Sequence, residues 1–509
     1  TRAMAVTGKP LKWGLSPALF LALALPAWAA EDWGPVLRDE RVREVPYDRE
    51  VFSGDPEYTI TYDPQAEIDI YGGKTAISTP RPPVEIFRDM YDEGPLGEGF
   101  TLFGSKNRIY PQILLFGDIR TAVAFNDTGV QEIAQIAARA NINIDFKLTA
   151  TERIHVFFQP LQNGAEFSRV EFGGDDRDRN RPGRFETTEQ PTTAFMEGDL
   201  AAIAAGFSDE YNKYDIPFAI GRVPLFLQNG VWLEDAFLGF AVTPFVARNS
   251  RTLDITNYDI TFFAGFDEVT TPAVVSAAGA NSDHEAHIYG VTGFFDTREG
   301  YLEAGYAFIN DRNDANGDFS YHNFTLAFSK RYFATVSNAT RIIVNIGQNP
   351  GGGRQETAEG FLLISENAFI THLPLTLIPY ANFWFGYDAT QSAARANAAG
   401  GILRNVGLSF ETDGLTGFPT LDATGVDTFG GAIGVEYLFG FDQQLIGEFA
   451  AVFPYDDRQG QAKDPQFGWG VRYQRPLTNR LILRADAMYG MLLDAPDIAG
   501  VRLELRVKL

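Results

Sequence analysis

Hydrophobic and polar positions alternate along most of the chain after residue 112. In residues 138–161, ARANINIDFKLTATERIHVFFQPL, Arg, Asn, Asp and Lys alternate with Ala, Ile, Phe and Leu on both sides of a short joint. Because successive side chains of a strand point to opposite faces, each arm forms a strand with one polar and one apolar face. The pattern therefore predicts a β-hairpin here, and the question is which face meets water.

Segments with this period recur as far as the C-terminus. Short joints between them alternate with longer loops that are rich in acid, asparagine and glycine, which is typical of outer-membrane barrels. The sequence predicts an all-β fold, a transmembrane antiparallel β-barrel of about 18 strands with a polar N-terminal extension. The predicted strands are 113–126, 139–150, 152–173, 193–205, 216–224, 234–247, 256–265, 285–296, 299–310, 319–332, 335–347, 358–370, 375–387, 427–439, 442–455, 465–475, 478–491 and 498–509.

The final segment, GVRLELRVKL, indicates which face is wet. Val501, Leu503 and Leu505 lie on one face, and Arg502 and Glu504 lie on the other. The interior of a barrel with so many strands is too wide for apolar side chains to fill. We therefore expect the apolar faces to contact lipid and the polar faces to line a hydrated lumen, while closure pairs the backbone groups.

The beginning of the chain predicts export. Lys9 and Lys12 precede a short apolar run that ends in Ala-Trp-Ala, so residues 1–30 are predicted to be a signal peptide. Residues 31–112 are polar and proline-rich without sustained alternation, and we expect a periplasmic or lumen-resident extension. Residues 113–509 form the predicted barrel, which locates the protein in the outer membrane of a Gram-negative bacterium.

Composition and missing motifs exclude several classes of function. The chain has no cysteine, which excludes disulfides, thiolate metal sites and covalently attached c-type haem. Its net charge of -24 argues against a nucleic-acid partner. GxSxG, GxxxxGK and HExxH motifs are missing, and we expect a protein that is not an enzyme.

Basic residues recur at positions that alternation directs into the lumen. The acidic excess lies in the loops and the N-terminal region, so the lumen is relatively rich in arginine. Rings of basic side chains favour the passage of anions; alternatively, opposite charges pair across strands and stabilise the wall. The predicted pore-lining residues are Arg120, Arg139, Lys147, Arg153, Arg222, Arg341, Arg472, Arg484, Arg502 and Arg506.

Two polar loops carry further candidate roles. The loop DRNDANGDF gathers side-chain oxygens that could bind calcium at an extracellular site, or it is a solvated loop; no other cofactor is expected. The segment 173–184, GGDDRDRNRPGR, is predicted to be an extracellular tip or a constriction folded into the pore. The candidate calcium ligands are Asp311, Asn313, Asp314, Asn316 and Asp318.

The signal peptide, the polar N-terminal region and the alternating strands resemble outer-membrane porins, and most of all the alginate-export type of barrel. The segment 217–237, PFAIGRVPLFLQNGVWLEDAF, is similar to that family's pattern of a Gly-Arg strand, a hydrophobic loop and an acidic-aromatic return. The resemblance implies an arginine-lined conduit for an anionic polysaccharide, with Arg222 among its pore residues.

We expect a porin-like channel for diffusion or export of polar, preferentially anionic solutes or polysaccharide. Its expected partners are outer-membrane lipid, lipopolysaccharide and the solute, with a periplasmic protein as a further candidate. One alternative is a barrel shell that sheathes a multihaem cytochrome partner in an electron conduit. Another is an outer-membrane hydrolase with a Ser/His/Asp set at the rim.

Overall fold

The fold is described from a computed structural model, which covers residues 80–509 with the gaps given below. The predicted signal peptide and residues 31–79, 91–98 and 103 of the predicted extension lie outside the described residues. The described residues are 80–90, 99–102, 104–163, 166–173, 183–250, 255–274, 286–312, 317–373, 376–412, 415–439, 442–456, 462–493 and 495–509.

Eighteen strands form a closed antiparallel barrel, as the alternation predicts. Each strand pairs with the next, and β18 pairs with β1. The third and fourth strands are each interrupted once. The strands are β1 (Gln112–Asp127), β2 (Glu132–Lys147), β3 (Arg153–Phe158 and Glu166–Gly173), β4 (Gly183–Arg184 and Thr193–Asp199), β5 (Pro217–Leu227), β6 (Leu233–Ala247), β7 (Ile255–Asp267), β8 (Ala286–Thr297), β9 (Gly300–Asp311), β10 (Tyr321–Tyr332), β11 (Val336–Ile346), β12 (Gly360–Phe369), β13 (Leu377–Tyr387), β14 (Thr428–Phe439), β15 (Gln443–Pro454), β16 (Gln466–Pro476), β17 (Leu481–Leu492) and β18 (Ile498–Lys508).

The exterior of the barrel is apolar. On β18, Val501 and Leu503 are 45% and 52% exposed, whereas Arg502 and Glu504 are 2% and 3% exposed. The same alternation runs through most of the other strands, so most apolar positions face outward and most charged positions face inward. A closed barrel with this exterior pairs its backbone groups and presents hydrocarbon to a bilayer.

One predicted strand is too long. The strand predicted at 193–205 ends at Asp199, and Leu200–Ser208 forms helix α1. The Asp199 side chain caps this helix by accepting a hydrogen bond of 2.8 Å from the backbone N of Ala202. Alanine-rich sequence favours a helix here, because four alanines in LAAIAAGFS blur the period of two. Within the described residues, no helix is long and apolar enough to cross a membrane.

Part of the predicted extension belongs to the wall. The short strand Val84–Ile86 pairs antiparallel with residues 113–115 at the beginning of β1. The pairing of β1 with β18 begins only at Asp118. The short strand therefore pairs with the part of β1 that β18 does not reach.

The tip of the β5–β6 hairpin leaves the wall and lies in the lumen. Pairing of β5 with β4 stops at Arg222, and pairing of β6 with β7 stops at Leu238. Beyond these positions, residues 223–237 form what we call the inward hairpin. Its Trp232 is fully buried and donates a hydrogen bond of 2.7 Å to Oδ1 of Asn323 on the inner face of β10.

The longest connection that the structure describes, residues 388–412 and 415–427 between β13 and β14, also lies in the lumen. We call it the lumen loop. It contributes a short strand, Ala394–Arg395, which pairs in parallel with residues 233–234 of the inward hairpin. It also contributes three 3-10 turns, namely Asn397–Ala399, Arg404–Val406 and Leu408–Phe410.

An apolar core lies between the wall and these two inward elements. Trp232 and Phe237 of the hairpin, Leu403 and Phe410 of the loop, and Ile288 of the wall are all buried in one cluster. The expected hydrated lumen is therefore confined to part of the barrel's cross-section, because the chain fills the remainder with its own side chains.

Candidate pore constriction

A cavity of about 590 Å³ lies where the inward hairpin and the lumen loop face a charged part of the wall. The wall contributes guanidinium groups, the hairpin contributes a turn amide, and the loop contributes both charges and amides. The lining residues that carry the polar groups are Arg120, Asn229, Tyr380, Asn382, Arg404, Asn405, Glu411, Thr412 and Arg484.

The charged part of the wall consists of six arginines on five neighbouring strands, and we call it the arginine wall. Arg120 stands directly opposite Arg139 on one side and Arg506 on the other. Residues directly opposite in an antiparallel pair point to the same face, so the alternation of each strand and the register between strands bring the guanidinium groups together. The arginine wall is Arg120, Arg139, Arg472, Arg484, Arg502 and Arg506.

Wall carboxylates pair with most of these arginines. Asp486 is shared by three of them, accepting hydrogen bonds of 2.7 Å from Arg472, 2.9 Å from Arg484 and 2.6 Å from Arg502. Asp486 thus holds three guanidinium groups in one place.

Two further wall pairs and one loop carboxylate complete the cluster. Glu504 accepts two hydrogen bonds from Arg120, at 2.8 and 2.7 Å. A carboxylate oxygen of Asp118 lies 2.6 Å from Nη2 of Arg506. Together with Asp486 and Glu411 of the lumen loop, four carboxylates face six guanidinium groups. This cluster therefore has two more positive than negative charges.

Glu411 extends from the lumen loop to the arginine wall. Its Oε2 lies 2.8 Å from Nη1 of Arg472, and its Oε1 lies 3.5 Å from Nη2 of Arg484. Burial alone would raise the pKa of Glu411, but the positive charges of Arg472, Arg484 and Arg502 outweigh it and hold the pKa below its usual value. Glu411 is therefore ionised at neutral pH.

A second carboxylate holds the turn that precedes Glu411. Glu448 of β15 accepts hydrogen bonds from the backbone N of Leu408 at 2.7 Å, the backbone N of Ser409 at 2.8 Å and the hydroxyl of Tyr380 at 2.6 Å. The amides at the beginning of a helical turn have no partner within the turn, so a buried carboxylate stabilises them. Glu448 thus fixes the position of Glu411 from β15, the strand that pairs with the strand of Arg472.

Buried arginine joins the lumen loop to the inward hairpin. Arg395 donates to the carbonyl oxygens of Gly230, Gly400 and Gly401 at 2.7, 2.6 and 2.8 Å. Burial, with a contribution from Arg404, lowers the pKa of Arg395 to about 10, so it is still charged at neutral pH. The hairpin and the loop therefore form one polar-bonded unit.

Arg404 brings a further positive charge to the cavity from the loop. Its Nη2 lies 2.7 Å from Oε2 of Glu234 on the hairpin. Next to it, Asn405 donates a hydrogen bond of 2.6 Å to the carbonyl oxygen of Asn229. The rim opposite the arginine wall thus combines an ion pair with amide groups.

Four predicted pore-lining residues lie outside the arginine wall, namely Lys147, Arg153, Arg222 and Arg341. Arg153 pairs with Glu197 at 2.5 Å and is the cross-strand neighbour of Lys147. Arg341 pairs with Glu366. Within the arginine wall, Arg139 donates a hydrogen bond of 3.1 Å to Oδ1 of Asn141, and its guanidinium lies 5.7 Å from the ring centroid of Phe167.

Arg222 lies at the base of the inward hairpin. It stands opposite Leu238, which is 50% exposed on the outer face, and it pairs with Glu268. Its Nη1 also donates to the carbonyl oxygen of Pro191 at 3.1 Å. Arg222 is thus placed where the hairpin leaves the wall, and it does not line the cavity described above.

Several cavity residues were missed from the sequence because they lie in connections. Asn229, Arg404 and Glu411 belong to segments without alternation, which give no information on direction. One signal was available: a connection of some forty residues inside a compact domain is uncommon and is usually functional. That signal marks the lumen loop but not its individual residues.

The candidate calcium loop is only partly described. Asn313, Asp314 and Asn316 lie outside the described residues. Asp311 accepts a hydrogen bond of 3.1 Å from the backbone N of Phe319, and Asp318 accepts one of 2.9 Å from that of Ser320. Among the residues that the structure describes, no group of three or more His, Cys, Asp or Glu side chains could hold a metal ion.

The expected tip or constriction at 173–184 falls mainly on residues 174–182, which are also outside the described residues. The constriction that the structure does describe is built from the inward hairpin and the lumen loop.

The sequence matches no protein-family model, and no curated protein is similar to it. Among solved structures, the chain is similar to OccK5 (OpdH) of Pseudomonas aeruginosa, with 11% sequence identity and a TM-score of 0.48 over 78% of this chain and 98% of that chain. It is also similar to OccAB4 of Acinetobacter baumannii, with 10% identity and a TM-score of 0.49 over 78% and 97% of the two chains. A further similar structure is the outer membrane protein opdK of Pseudomonas aeruginosa, with 9% identity and a TM-score of 0.45 over 78% and 98%.

Proposed function

We propose that this protein is an outer-membrane porin through which polar solutes diffuse, with a preference for small anions. The observation that carries the proposal is the arginine wall, two of whose members, Arg120 and Arg484, line a cavity of about 590 Å³. Together with its four paired carboxylates, the arginine wall has two more positive than negative charges. Basic side chains around a narrow passage lower the free energy of an anion there and raise that of a cation.

The outer membrane is the location that fits the barrel. Closed antiparallel barrels with an even number of strands, an apolar exterior and both ends on the side of the short turns are typical of that membrane. Outer-membrane lipid and lipopolysaccharide are the partners of the apolar exterior in this proposal. The barrel acts as a passage and not as an enzyme.

The filling of the lumen by the inward hairpin and the lumen loop favours a small solute over a polymer. The inward hairpin and the lumen loop occupy much of the lumen with an apolar core. The anionic polysaccharide that the alginate-export resemblance implies would need a passage wide enough for a polymer along the whole barrel. The same occupation of the lumen gives no support to a sheath around a cytochrome.

Reversal potentials in planar bilayers test the proposal. The purified full chain, reconstituted between solutions of different KCl concentration, is expected to give a reversal potential on the anion-selective side. Liposome swelling in gluconate and in an alginate oligomer separates a small anion from a polymer, since only gluconate is expected to enter. A cation-selective current, or no current from correctly assembled barrels, would contradict the proposal.

A further inference from the structure

We infer that Glu411 is an internal competitor for the solute: its carboxylate occupies the anion-binding position between Arg472 and Arg484, and a passing anion displaces it. The inference rests on the proposed porin function and names the residue that sets its affinity for anions. Glu411 touches both arginines, at 2.8 and 3.5 Å, and each of its two oxygens contacts a different one.

The two arginines form a built site for an oxyanion. Both are largely buried, with side chains 16% exposed, and both are fixed from behind by Asp486. Arg472 uses Nε for Asp486 and Nη1 for Glu411, while Arg484 uses Nε for Asp486 and Nη2 for Glu411. The terminal nitrogens that contact Glu411 are therefore the donors to which a solute anion would bind in place of Glu411.

Glu411 differs from the wall carboxylates in how it is held. Asp486 lies on a strand whose register fixes it, whereas Glu411 follows a loop turn held through the backbone of Leu408 and Ser409. Rotation of the Glu411 side chain alone breaks its contacts with both arginines, and it requires no strand to unpair. Its side chain is 28% exposed and lines the cavity together with Arg484, so a solute can reach it.

Block of the chloride current by inorganic phosphate measures this competition. In wild type, phosphate must displace Glu411, whereas in Glu411→Gln the two arginines are free to bind it. We expect the half-blocking phosphate concentration of Glu411→Gln to fall about ten-fold, the scale of one hydrogen bond between charged groups. Glu436→Gln is the matched control, because it removes the same charge from a residue that accepts from Gln444.

The double variant Glu411→Gln with Arg484→Gln is expected to return toward the wild-type concentration, since it lacks half of the site. Equal half-blocking concentrations for Glu411→Gln and Glu436→Gln would overturn the inference, as would a double variant that blocks like Glu411→Gln. If Glu411→Gln does not assemble, Glu411→Asp, one methylene shorter, is expected to shift the concentration in the same direction by less, and an unchanged value overturns the inference. A wild-type channel without anion preference would refute the porin proposal, whereas an anion-selective wild type with unchanged variants refutes only the role of Glu411.

Discussion

Replacing Arg484 with glutamine removes one positive charge from the arginine wall at the cavity. An ion that passes about 5 Å from the guanidinium in a hydrated lumen interacts with it by roughly 0.8 kcal/mol, which screening at 0.1 M salt reduces to about 0.5 kcal/mol. The loss acts with opposite sign on anions and cations, so the difference between their barriers changes by about 1 kcal/mol. The chloride-to-potassium permeability ratio should therefore fall about five-fold.

Zero-current potentials across a bilayer with a KCl gradient give this ratio directly. Arg222→Gln is the matched control, because Arg222 lies at the base of the inward hairpin, pairs with Glu268 and does not line the cavity. Its permeability ratio should stay close to that of wild type. If Arg484→Gln kept the wild-type ratio, or if Arg222→Gln changed it more, the arginine wall would not be the source of selectivity.

Three other substitutions test the parts that hold the constriction and the barrel. Trp232→Ala removes a fully buried side chain and its hydrogen bond to Asn323, which should destabilise the protein by about 3–5 kcal/mol in thermal unfolding and give larger, noisier single-channel currents. Leu503→Lys places a charge on the middle of the lipid face of β18 and should cost roughly 2–4 kcal/mol in urea titrations of folding into vesicles, with no change if that face is wet. Burial opposes ionisation of Glu152, but hydrogen bonds, including one of 2.8 Å from Asn107, lower its pKa below the usual value. Its charged form therefore stabilises the fold at neutral pH, and this contribution is lost as the pH falls through the lowered pKa; Glu152→Gln should cost about 1–3 kcal/mol at pH 7 and progressively less in acid.

Local alternation was sufficient to find the strands but not to follow the chain where alternation stops. Each predicted segment overlaps one barrel strand, because a half-buried strand must repeat its polarity every second residue. The segment 193–205 failed at its C-terminal half, where small alanines fit either face and the Asp199 cap starts a helix. The sequence of the β5–β6 tip has the same pattern as the other hairpins. In the structure, however, its pairing with β4 ends at Arg222 and its pairing with β7 ends at Leu238.

The sequence by itself determined that this protein is an antiparallel barrel with an apolar exterior and arginines at inward positions, because both properties follow from a period of two that each strand carries locally. Only the tertiary structure decided which arginines share a cavity and what stands opposite them. Arg120 and Arg484 are more than 360 positions apart in the chain, and Glu411 reaches the wall only because Glu448 and the inward hairpin hold the lumen loop. Contacts of that kind depend on strand register and on where a long connection docks, and neither is encoded in the polarity of neighbouring residues.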